Sequence, residues 1–117
     1  MIIKIKNLRL RTYIGIYEWE KKKKQDVIIN VTIEFDGNKA GWSDDIDDTL
    51  NYKNINKGII KLVEENHFNL IEKIAADVTR FVLENSMVHQ VTVEVDKPGA
   101  LSYTDSVSVS ETLTRGD

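Results

Sequence analysis

A chain of 117 residues, 41% hydrophobic, is long enough to bury roughly two-thirds of its unfolded surface in one core, so residues 1–117 read as a single domain. It has no cysteine, which excludes disulfides, thiolate zinc centres and a thiol nucleophile and suits a reducing cytoplasm. Sixteen basic against nineteen acidic side chains leave a net charge of −3, and no stretch has the apolar length of a bilayer-spanning helix, so neither nucleic acid nor a membrane is an expected partner.

The opening segment, about Ile2 to Ile14, alternates as a strand. Its apolar residues Ile3 and Ile5 are out of phase with Leu8 and Leu10, which predicts a register break near Lys6-Asn7. Glu20 and the run Lys21 to Lys24 then form a charged loop, ordinarily a solvated ion cluster. Val27, Ile29, Val31, Ile33 and Phe35 alternate with Asn30, Thr32 and Glu34, the period of a half-buried second strand. The acidic run Asp44-Asp45-Ile46-Asp47-Asp48 lacks the alternate-ligand spacing and glycine of a calcium loop and reads as turn and capping chemistry.

Ile55, Ile59, Leu62 and Val63 recur at helical spacing, and so do Ile71, Ile74, Ala75, Val78 and Val82 after a polar bend at Glu65-Asn66-His67. Asn69 is the expected cap of the second helix, with Glu72 as its reciprocal partner. Val91, Val93 and Val95 and then Val107 and Val109 mark two further strands. The order ββααββ predicts an α+β fold in which a four-stranded antiparallel sheet carries both helices on one face. On the other face stand small uncharged residues (Asn30, Thr32, Gln90, Thr92, Ser106, Ser108, Ser110), suited to the interior of an oligomer or to a moderately polar solvent face.

Lys97 stands where the third strand runs into Pro98-Gly99, a strand end beside a tight turn. Taken alone, a lysine there is ordinarily a surface charge, and Tyr52, just ahead of the first helix, is ordinarily a packing residue. His67 and His89 have no cysteine to join them and are remote from one another, so no metal is expected.

Four segments together resemble one family: Ile5-Lys6-Asn7-Leu8-Arg9-Leu10-Arg11 with Ile14-Gly15-Ile16; Leu50-Asn51-Tyr52; Asn69-Leu70-Ile71-Glu72; and Val95-Asp96-Lys97-Pro98-Gly99-Ala100. They are similar, in order and spacing, to the dihydroneopterin aldolases and dihydroneopterin triphosphate epimerases. The resemblance implies a tunnelling fold, in which subunits join their sheets into a barrel, and a homo-oligomer of tetrameric rings, eight subunits when two rings stack. It implies a reduced-pterin substrate and no cofactor.

Carried over by position, Lys97 matches the family's general acid/base, and Glu20 and Tyr52 match residues that assist its proton transfer. Glu72 matches the pterin anchor and Ile71 a neighbouring pocket position. A carboxylate suits that anchor, because pterin offers a ring N–H and an exocyclic amino group side by side. Lys97 need not form a Schiff base, since the ring's conjugated imine accepts the electrons released on cleavage; it has to move protons, best with a pKa drawn down from ~10.4 toward neutrality. The stretch Ala100 to Ser108 and the opening strand through Ile16 resemble the epimerases, as does Ile14, where typical aldolases have histidine. Pro98-Gly99-Ala100 is instead the aldolase form. Epimerisation of the triphosphate is therefore the leading expectation, aldolase activity the alternative, and a non-catalytic pterin-binding oligomer a third.

Overall fold

The computed structural model describes residues 1–116. Strand β1 spans Ile2–Ile14 and pairs antiparallel with β2, Gln25–Phe35. Their register shifts between Ile5 and Leu8, and Asn7 adopts φ 53°, a left-handed conformation that asparagine tolerates better than most residues. This bulge re-phases the strand: Ile5, Leu8 and Leu10, opposite Val31, Ile29 and Val27, all turn to the same face. The Asn7 amide donates to Asn30 Oδ1 at 2.8 Å, which holds the kink.

Helix α1, Glu18–Lys22, fills the connection after β1, and α2, Asn38–Ser43, with a 3-10 turn at Ile46–Asp48 follows β2. Then come α3, Tyr52–Glu64; β3, His67–Phe68; α4, Ile71–Leu83; β4, Val88–Pro98; and β5, Ser106–Thr114. The sheet order is β3-β1-β2-β4-β5. Five strands replace the four expected, and the sheet is mixed, because β3 pairs parallel with Tyr13 and Ile14. Two residues are too few to carry a period, and short polar helices such as α1 and α2 leave none either. The Asp run does act in turns: Asp45 accepts from the Asp47 amide, and Asp48 accepts from the Ser43 hydroxyl at 2.6 Å.

The long helices cover one face, α3 over β1 and α4 over β4 and β5. Ile55, Ile59 and Val63 of α3 and Ile74, Ala75, Val78 and Val82 of α4 are buried against Val27, Ile29, Val31 and Ile33 of β2 and Val91, Val93 and Val95 of β4. Buried Thr12 donates to Val63 O at 2.7 Å, fastening β1 to the end of α3. Asn51 caps α3 through the Asn54 amide, whereas α4 begins from an extended Leu70 with no side-chain cap. The expected Asn69 cap and Glu72 capping box are therefore absent, and Glu72 has another place.

The uncovered face bears the predicted small polar residues in cross-strand ranks, Thr32 beside Thr92 and Thr92 beside Thr112, whose hydroxyls lie 2.9 Å apart. Register adds Glu34, Glu94 and Asp96 to that face, so it is less uncharged than expected. β5 is an edge strand, and the outer edge of β1 is paired only at its last two residues.

Candidate active site

The end of β1, the start of β2, the end of β4 and the start of β5 meet at one end of the sheet, with α1 and the start of α4 beside them. They border an open cavity of about 530 Å³ lined by Glu20, Gln25, Ile71, Glu72 and Lys97, among others. Of the five residues expected at the site, Lys97, Glu20, Glu72 and Ile71 come together here. Tyr52 does not: it is 53% exposed and lines a different groove, beside β1.

Glu20 is a helical residue rather than part of a solvated loop, and only 5% of it is exposed. Its Oε2 accepts from Lys97 Nζ at 2.6 Å and from Gln25 Nε2 at 3.1 Å, while Oε1 accepts from the Tyr17 amide at 3.3 Å. Gln25 Nε2 also donates to Ile14 O at 2.7 Å, so one side chain joins the acid to the end of β1. The Lys97 ammonium holds the Glu20 carboxyl below its ordinary value; Gln25 and the Tyr17 amide act in the same direction, and burial opposes them. Lys97 is no free surface charge either, its side chain being 16% exposed.

The acid fits here because of Gly15. Its φ of +139° is open to glycine, and a Cβ at that position would fall within the Glu20 carboxylate. Neither Gln25 nor the steric role of Gly15 was marked by the sequence, since a glutamine opening a strand and a glycine ending one are both ordinary. Around the cavity, Ile16, Tyr17, Trp19 and Leu70 are each more than half exposed, an apolar rim unusual beside a charged pair.

A larger cavity, about 640 Å³, lies at the opposite end of the sheet, but its Met1 amine, Lys39 and Arg115 are occupied within the chain. The Met1 amine donates to Phe35 O, Lys39 pairs with Asp48, and Arg115 donates to the carbonyls of Leu83, Asn85 and Val88. Chemistry therefore centres on the Lys97 end, where an amine, an ionised acid and a second carboxylate border one open cavity.

That fold is the fold of a pterin-aldolase family. The chain belongs to the dihydroneopterin aldolase family, FolB, which residues 3–112 match. It is 51% identical over 109 residues to the dihydroneopterin triphosphate 2'-epimerase of Escherichia coli, covering 93% of this chain and 91% of that one. To the dihydroneopterin aldolase of the same species it is 32% identical over 108 residues, 92% of this chain and 88% of that one. The crystal structure of E. coli dihydroneopterin aldolase in complex with neopterin matches with a TM-score of 0.92 at 31% identity, over 97% of this chain and 98% of that one. The α+β class expected from the sequence thus holds.

Proposed function

We propose that the protein epimerises C2' of 7,8-dihydroneopterin triphosphate by a retro-aldol and aldol sequence, with aldolase cleavage as the alternative outcome of the same chemistry. The observation that carries this is the Lys97–Glu20 pair facing the same cavity as Glu72, in a chain far more similar to the named epimerase than to the named aldolase.

Glu72 accepts the pterin ring N–H and exocyclic amino group, and Ile71 packs beside the ring. Lys97 passes a proton to Glu20, 2.6 Å away, as it takes that of the C2' hydroxyl, and Glu20 also fixes the amine. As that O–H bond breaks, the C1'–C2' bond cleaves and its electron pair moves into the conjugated imine of the ring, leaving an enamine and an aldehyde. Re-addition of C1' to the other face of the aldehyde inverts C2'; protonation of C1' instead releases the aldehyde and gives the aldolase product. Holding the aldehyde against the enamine decides between them.

Tyr52 joins this site in our reading from a neighbouring subunit. The unpaired edges of β1 and β5 support it: continuing the antiparallel alternation of β1, β2, β4 and β5 sets a partner's β1 beside this chain's β5. A partner's α3 would then approach Val107 and Val109, on the rim of the cavity, and the exposed apolar rim would be covered. We therefore propose a homo-oligomeric ring with sites between subunits. No helix among the described residues is long and apolar enough to cross a membrane, and the lack of cysteine favours the cytoplasm.

The test is to incubate the protein with dihydroneopterin and with its triphosphate and separate the products. Epimer from the triphosphate is expected as the main product. Lys97→Ala should lower both epimerisation and cleavage by about 10²–10⁴-fold, and Glu72→Gln should act mainly on pterin affinity. Full turnover by Lys97→Ala would remove the assignment.

A further inference from the structure

A triphosphate brings several negative charges to a chain whose own net charge is −3. The cavity at Lys97 has no cation to spare for it, since its one amine is bound to Glu20 and the other charged group on its wall is the carboxylate of Glu72. The cations of the far cavity are likewise taken. A third groove, about 470 Å³ between the first half of β1 and the start of α3, is different. Lys4, Lys6, Arg9 and Lys53 line it, and no carboxylate does. Arg9 pairs with Asp26 at 2.9 Å, but Lys4, Lys6 and Lys53 have no carboxylate within 4.0 Å among the described residues. Uncompensated like charges repel one another, and a polyanion relieves that repulsion.

Tyr52 lines the same groove. We propose that this groove is a polyphosphate-binding subsite, in which Lys6 and Lys53 hold the triphosphate of a substrate whose pterin occupies the adjacent subunit's cavity. The inference rests on the reading above, in which Tyr52 joins the site from a neighbouring subunit, and it sets the Tyr52 hydroxyl beside the reacting C2' hydroxyl. The phosphates are attached through the next carbon, so the residues flanking Tyr52 are the first they meet. Lysine suits the task, its ammonium being a compact charge on a flexible stem that follows a mobile chain of phosphates. The run Lys21 to Lys24 is placed less well: Lys24 stands 5.7 Å over the Tyr13 ring, and Lys21 lines a small cavity with Tyr13 and His67.

The subsite is tested with the full-length Lys6→Ala/Lys53→Ala protein, both side chains being exposed and outside the core. KM and kcat are measured on dihydroneopterin triphosphate and on dihydroneopterin, and inorganic tripolyphosphate is titrated into the pterin-free protein by calorimetry. The expected result is a rise in KM for the triphosphate of about tenfold per lysine, less than about twofold change for dihydroneopterin, and weakened tripolyphosphate binding. An unchanged KM for the triphosphate overturns the subsite, as does a parallel loss on both substrates, or a loss found instead in Lys21→Ala/Lys22→Ala. If the wild type turns over neither pterin, the proposed function fails, and tripolyphosphate still decides the subsite. Wild-type binding that the double variant loses upholds it; equal binding, or none by the wild type, overturns it.

Discussion

Glu20 is the residue on which the site's electrostatics turn. A carboxylate this buried is costly unless matched, and Lys97, Gln25 and the Tyr17 amide supply the match. Since its folded-state pKa lies below the ordinary 4.5, Glu20 contributes stability that is complete above that value and is lost as pH falls through the depressed one. Glu20→Gln should therefore be less stable than the wild type by a margin that is constant above about pH 5 and narrows below about pH 4.5. Denaturant titrations at a series of pH values check this, and a margin that widened in acid would contradict the pairing. The same residue marks how far the sequence could be read. The role proposed for it rests on the family pattern, but its burial was not legible, because the lysines beside it predict solvent and the geometry that buries it depends on Gly15 and Gln25.

At the scale of elements, long periodic segments were legible and short ones were not. β1, β2, α3, α4 and β4 each repeat an apolar pattern over enough residues to declare both type and face, and even the bulge at Asn7 was visible as a change of phase. The α4 cap was misread because Leu70, not Asn69, takes the extended conformation that opens the helix. Helix-to-helix spacing was likewise hidden. Gly58 of α3 lies against the Phe81 ring of α4, and a Cβ there would overlap it. Gly58→Ala should consequently destabilise the protein by about 1–2 kcal/mol, the overpacking exceeding the gain in helix propensity of about 0.5–1 kcal/mol. Thermal or urea unfolding measures it, and adding Phe81→Leu should recover part of the loss.

For the whole molecule, the proposed ring makes a distinctive demand, because each site takes Lys97 from one subunit and Tyr52 from the next. Lys97→Ala and Tyr52→Ala should each be inactive as pure assemblies. Unfolded together and refolded as a mixture, they should regain turnover at about one quarter of the wild-type level, the share of sites that draw both intact residues. No recovery, with mixed assemblies verified by mass spectrometry, would locate Tyr52 outside the neighbouring site. Within one chain only four of the five expected residues come together, and the fifth enters the site only through the proposed ring.

The open side of β5 has another consequence. A row of unpaired backbone donors and acceptors on a nine-residue strand is a template for any extended peptide that comes near, and closure of the proposed ring would hide it. Subunits held apart should for that reason be lost to aggregates instead of persisting as monomers, so light scattering should rise in any variant whose assembly is weakened while its core is intact.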